Sequence, residues 1–222
     1  MANISLIGLI AFFLTACNGG QAKEKLLKVE DHLTQNNQVF DREMRAPGLV
    51  RIKTDILEQQ KEILILTSNE QVIDSLYSKD DSEPAFSRRI NNIWSYYPEY
   101  YIVIFEAYPL DNDRFYNVVI NGDIFALSHF DGITIYETWQ EHLKTSFILT
   151  SKDNPLKVAP DQNAESLLFD YEELSFEVLE VKEDWIYVKC NIDCDGCPGI
   201  EVRGWIKWKE KNVLKVELRY IC

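Results

Sequence analysis

The chain has 222 residues, 46% of them apolar, which is enough for one large or two small domains with real cores. Its 23 Lys and Arg against 36 Asp and Glu leave a formal net charge of −13, and no basic cluster offsets it. A surface this acidic repels phosphate backbones, which argues against a nucleic-acid partner and favours a basic or neutral one.

The chain opens MANISLIGLIAFFLTACNGGQ. The apolar run ending at Leu14 is shorter than the about 20 residues of a membrane-spanning helix. It suits the hydrophobic region of a secretion signal. Leu14-Thr15-Ala16-Cys17 resembles the lipobox of bacterial lipoproteins, in which small residues before the cysteine fit a signal-peptidase cleft. The resemblance implies a signal peptide over residues 1–16, removed to leave Cys17 as a lipidated N-terminus. It also implies the cell envelope, with the protein lipid-anchored to a bacterial membrane and periplasmic or surface-facing. Residues 17–45 are mostly polar and read as a tether. Several acyl chains, at about 0.8 kcal/mol per buried CH2, would hold it on a bilayer without a spanning helix.

Residues 46–149 read as an α+β domain, an antiparallel sheet with helices on one face. Ile63–Leu66 is a short apolar run suited to a buried strand. Ser68 and Gln71 have capping-box spacing ahead of Val72, Ile73, Leu76 and Tyr77, which predicts a short helix. Phe86, Ile90, Ile93, Trp94 and Tyr97 recur at helical intervals and predict an amphipathic helix ended by Pro98. YYIVIFEAY (100–108) is dense in β-branched and aromatic residues and predicts a central strand. FYNVVI-NG-DIFALS predicts a hairpin, with Asn121-Gly122 supplying the positive-φ positions of the turn. Thr138 and Glu141 form a second capping box, followed by a Trp139, Leu143, Phe147 stripe.

From residue 150 the texture changes to short strands. Val178-Leu179-Glu180-Val181 with Trp185 and Val188, then Gly204-Trp205-Ile206, resembles the bacterial SH3 family over residues 152–222. The resemblance implies an all-β SH3-like barrel over residues 150–222. Strand alternation independently sends Trp185, Tyr187 and Lys189 one way and Ile186 and Val188 the other. Trp205 and Trp208 are three apart, so in a regular strand they face opposite sides unless a bulge intervenes. Tyr187, Trp205 and Trp208 are therefore the ligand-binding candidates, with core or interdomain packing as their other reading.

Beyond Cys17 there remain Cys190, Cys194, Cys197 and Cys222, an even number in a chain read as exported. That favours disulfides. Four thiolates for zinc and a redox Cys194–Cys197 pair stay as alternatives. Strand ends suggest Cys190 with Cys222 and Cys194 with Cys197.

No constellation for catalysis, metal or cofactor is found. The histidines are His32, His129 and His142, and they form no HExxH. His129 beside Asp131 reads as an exposed loop, and His142 beside Glu141 as a solvated helix face. No phosphate-binding glycine loop and no G-x-S-x-G occurs. The expected function is that of a non-enzymatic, membrane-anchored envelope lipoprotein. Its SH3-like module would bind an envelope protein, a peptide or a cell-wall component, or serve structural packing. The alternative is an envelope enzyme or enzyme inhibitor acting through the α+β domain.

Overall fold

In the computed structural model the described residues are 41–53, 62–77, 85–86, 90, 92–110, 113–167, 174–192, 194, 197 and 202–221. The leader, Cys17, the tether up to residue 40 and His32 lie outside them, as does Cys222.

Glycine 48 opens a strand that shows how the larger sheet is built. Strand β2 (Gly48–Lys53) pairs antiparallel with β7 (Ile102–Ala107) on one side and β10 (Thr134–Thr138) on the other. Its side chains alternate between two cores. Leu49 joins Ile104 in one, while Val50 and Ile52 join Val103 and Phe105 in the other. Strand β7 is buried from Val103 to Ala107, so its residues bring about 1.5–3 kcal/mol per large side chain. The sequence prediction of a central strand at 100–108 therefore holds.

The predicted hairpin is also present. Strands β8 (Phe115–Ile120) and β9 (Asp123–Ser128) pair in register through Asn121 and Gly122, at φ 53° and 90°. Both residues occupy the left-handed region that a tight primed turn requires. Strands β3 (Ile63–Leu66), β4 (Val72–Tyr77) and β5 (Ala85–Phe86) extend the sheet beyond β9. Strand β6 (Ser95–Tyr97) pairs with β7. The result is a nine-stranded sheet.

The remaining strands form two smaller sheets. β11 (Phe147–Leu149), β12 (Phe176–Lys182), β13 (Trp185–Cys190), β14 (Arg203–Lys207) and β17 (Glu217–Arg219) run in the order β14-β13-β12-β11-β17. β1 (Arg42–Glu43), β15 (Lys209–Glu210) and β16 (Val213–Leu214) make the third. Every pairing is antiparallel.

The expected α+β class is overturned. Among the described residues there is one α-helix, α1 (Trp139–Leu143), and one 3-10 turn at Pro98–Tyr100, against seventeen strands. The helix predicted at 72–77 is β4, and the one predicted at 86–97 gives way to β5 and β6 at its two ends. Residues 87–89 and 91 of that stretch lie outside the described residues. Helix α1 keeps the predicted capping box, with Thr138 and Glu141 bonded reciprocally, but stops before Phe147, which enters β11. One core joins Trp94, Trp139, Leu143 and Ile148 to Phe176, Ile186, Val188, Ile206 and Trp208. Strand β11 belongs to the C-terminal sheet through β12 and β17.

Candidate functional site

Strand alternation sorts the residues of the C-terminal sheet. Along β13, Ile186, Val188 and Cys190 are buried, while Trp185, Tyr187 and Lys189 are half-buried on the outward face. Along β14, Gly204 and Ile206 are buried and Trp205 and Lys207 are not. Directly opposed residues share a face, and the register gives Trp185 opposite Lys207, Tyr187 opposite Trp205 and Lys189 opposite Arg203. The Tyr187 and Trp205 rings lie 5.2 Å apart, inclined by 42°. On the other flank, Lys182, Glu180 and Glu177 of β12 stand opposite Trp185, Tyr187 and Lys189.

The edge of β14 is closed at this point. Lys157 donates its N–H to the Trp205 carbonyl at 2.7 Å and accepts the Trp205 N–H at 2.8 Å. Its ammonium turns back to the Ala164 carbonyl and the Ser166 hydroxyl at 3.1 and 3.2 Å. Trp205 is thus fixed through its main chain, while its indole N–H has no acceptor among the described residues.

Trp208 behaves differently. It is 2% exposed and donates its indole N–H to the Glu183 carbonyl at 2.9 Å. Glu183 adopts φ 53° in the β12–β13 turn, and its carbonyl meets the indole N–H there. Of the three aromatic candidates, the structure brings Tyr187 and Trp205 together outside and places Trp208 in the core.

The cysteines form staples. Cys190, at the end of β13, is bonded to Cys197 with a Cα–Cα distance of 6.0 Å. Cys194 is disulfide-bonded as well. The pairing expected from strand ends, Cys194 with Cys197 and Cys190 with Cys222, is overturned. Cys190 is 2% exposed and belongs to the core at the end of β13. Among the described residues, no three His, Cys, Asp or Glu side chains gather as a metal site requires.

A buried polar chain escaped the sequence reading. His142 is 1% exposed rather than solvated, and its partner is Glu137, not Glu141. Its Nδ1 lies 2.8 Å from Glu137 Oε2, and its Nε2 lies 3.1 Å from the Tyr220 hydroxyl. Trp94 Nε1 donates to that same hydroxyl at 2.9 Å. An indole can only donate, so the Tyr220 oxygen accepts from Trp94 Nε1; with a neutral imidazole the Tyr220 proton then meets His142 Nε2 and the ring proton on Nδ1 goes to Glu137. Arg51 completes the chain at 2.6 Å from Glu137 Oε1. Burial pushes the Glu137 carboxyl up, but the His142 hydrogen bond and Arg51 outweigh it and hold the group below the ordinary carboxylate range. Burial disfavours the charged phenolate and pushes the Tyr220 hydroxyl strongly upward. Every polar atom between Trp94 and Glu137 is satisfied internally, and the 78-residue separation of His142 and Tyr220 carries no local sequence signal.

A shallow polar pocket of about 120 Å³ lies nearby, lined by Arg42, Arg45, Asn92, Glu106, Asn121 and Gly122 among others. Glu106 accepts the Arg45 N–H at 2.6 Å. Its burial raises its carboxyl above the ordinary value despite hydrogen bonds and the two arginines. Arg42 stacks on Trp94, 3.5 Å from the ring centre, and donates to the Trp94 carbonyl at 2.9 Å. The pocket's charges balance one another and brace the turn before β2. His129 is tied to Thr134 and Asp131, each at 3.0 Å, in the loop after β9.

No protein-family model, no curated protein and no solved structure matches the chain.

Proposed function

We propose that this protein is a non-enzymatic bacterial envelope lipoprotein, anchored through Cys17, that binds a peptide or cell-wall component on the outward face of its C-terminal sheet. The observation that carries the reading is the Tyr187–Trp205 pair, two large rings side by side on a strand pair whose opposite face is core. A half-exposed indole whose N–H meets no acceptor among the described residues offers both apolar area and a donor, the combination enriched at binding surfaces. In the order β14-β13-β12-β11-β17 the three-stranded meander β12 to β14 comes from residues 152–222 and supports the resemblance of that segment to bacterial SH3 modules, while β11, next to β12, precedes the segment. Among the described residues no helix is long and apolar enough to cross a membrane, and the lipobox supplies the attachment in this reading. The internally satisfied Glu137–His142–Tyr220 chain supports a structural role for His142 rather than acid–base chemistry.

Two experiments test it. Labelled palmitate incorporates into the wild-type chain in a bacterial host and not into Cys17→Ser. Envelope extract passed over the immobilised protein leaves a component that Trp205→Ala no longer retains. Equal retention by wild type and Trp205→Ala refutes the aromatic face as the binding surface.

A further inference from the structure

We propose that the ligand of this face is an anionic polysaccharide, an inference that rests on the face being the binding surface at all. The outward residues of β13 are Trp185, Tyr187 and Lys189, and those of β14 are Arg203, Trp205 and Lys207. Three are aromatic, three are cationic and none is acidic, in a chain with 36 acidic residues against 23 basic ones. Glu177 and Glu180 stand on β12 opposite Lys189 and Tyr187, Glu210 lies 3.7 Å from the Lys207 ammonium, and Lys182 adds a further cation opposite Trp185. With those acids counted the face carries four cations to three carboxylates, a small positive excess where the whole chain is acidic, centred on ring planes.

The main chain narrows the ligand class. Strand β13 is paired on both sides, and Trp205 on β14 exchanges both main-chain bonds with Lys157. An extended peptide finds no backbone partner on this face, so strand addition is closed to it at Trp205. What the face presents is π-surface, an indole donor and ammonium groups. A sugar ring matches this with its flat C–H face and hydroxyls, and a uronic acid adds a carboxylate to each ring. Neighbouring strands stand about 4.8 Å apart and same-face residues about 6.6 Å apart along a strand, so rings and cations repeat on the scale of a sugar chain. A bilayer would fit less well. It would bring the remaining acidic surface within about 8 Å of anionic head groups, where repulsion is only partly screened, whereas a polymer touches the face alone.

Tryptophan fluorescence of the full chain, titrated with polygalacturonate, tests the inference. Dextran, poly-glutamate and phosphatidylglycerol vesicles serve as comparators. We expect saturable binding to polygalacturonate that weakens at least about tenfold between about 50 and 200 mM salt. Trp205→Ala should weaken it about tenfold or more, the scale of losing one stacking ring, with Trp205→Phe recovering most of the loss. Lys189→Gln with Lys207→Gln should weaken it and flatten the salt dependence, and far-UV circular dichroism confirms that each variant is folded. Equal affinity for dextran removes the anionic requirement. Equal affinity for poly-glutamate or for vesicles removes the sugar. In those three cases a Trp205→Ala effect leaves the binding surface standing and overturns only the anionic polysaccharide as its ligand. If polygalacturonate binding is absent, or is unchanged in Trp205→Ala, the polysaccharide is refuted; if Trp205→Ala also leaves envelope retention unchanged, the surface falls with it.

Discussion

Removing one oxygen from Tyr220 should unsettle the buried chain that fastens the C-terminal strand segment to α1 and the Trp94 loop. The Tyr220 hydroxyl accepts from Trp94 Nε1 at 2.9 Å and meets His142 Nε2 at 3.1 Å. Trp94 is 6% exposed and His142 1%, so neither partner gains water when the hydroxyl goes. Each of the two orphaned polar groups costs about 1–3 kcal/mol, so Tyr220→Phe should lose about 2–6 kcal/mol. With a urea slope of about 2 kcal/mol per molar, the unfolding midpoint falls by about 1–3 M at unchanged slope. Tyr100→Phe is the control, since Tyr100 is 55% exposed and should shift stability by less than about 0.5 kcal/mol. A double-mutant cycle with Trp94→Phe separates the bond from the lost packing, and a coupling above about 0.5 kcal/mol is expected for directly bonded residues. If Tyr220→Phe and Tyr100→Phe unfold at the same urea concentration, the chain of hydrogen bonds is not formed in solution and the assignment of proton directions fails with it.

Two carboxylates should give opposite pH signatures. Glu137 is held below its ordinary value of 4.5, so its contribution is present above that pH and is lost as pH falls through the folded value; Glu137→Gln should flatten this acid limb of a stability–pH curve. Glu106 is raised above 4.5 by burial, so stability declines as pH rises from 4.5 through its folded value, and Glu106→Gln should abolish that decline. Gly48→Ala should destabilise by about 1–3 kcal/mol in thermal or urea unfolding, because overpacked sites must displace their neighbours; a Cβ there falls 2.5 Å from the Tyr136 hydroxyl and into the Glu137 carbonyl on the paired strand. Replacing Cys190 and Cys197 together by Ala opens a loop of seven-residue separation and should lower stability by about 2.5 kcal/mol on the chain-entropy account, read as a fall in the midpoint that reductant, which also cuts the Cys194 disulfide, at least matches in the wild type.

Local chemistry was legible wherever one or two residues decide the backbone. Asn121-Gly122 needs positive φ at both positions, and only a hairpin offers that between two apolar arms. Thr138 and Glu141 close a box whatever follows, and α1 begins there. Periodicity failed where pairing decided instead. Val72, Ile73, Leu76 and Tyr77 fit a helical face, yet β4 pairs with β3 through a register shift between Ile65 and Leu66 that breaks simple alternation. Ser95-Tyr96-Tyr97 is aromatic-rich and pairs with β7, and the two asparagines at 91 and 92 are poor residues for the interior of the helix once expected there. The density of β-branched and aromatic residues was the better signal at both places.

The aromatic face shows where a parity argument stops and packing takes over. A spacing of three requires Trp205 and Trp208 to differ in side, but does not say which ring is inside. A buried indole needs an acceptor for its N–H. Trp208 has one in the Glu183 carbonyl, presented by a left-handed residue in the preceding hairpin. Trp205 has no such acceptor among the described residues, and its main chain is committed to Lys157. The choice of side was therefore set by a turn conformation some twenty-five residues earlier in the chain. The same choice leaves Trp205 beside Tyr187 on the only face of β13 and β14 that is not core, so the outward rings are a consequence of how Trp208 is satisfied. A substitution that denies Trp208 its acceptor should disturb the binding face without touching it.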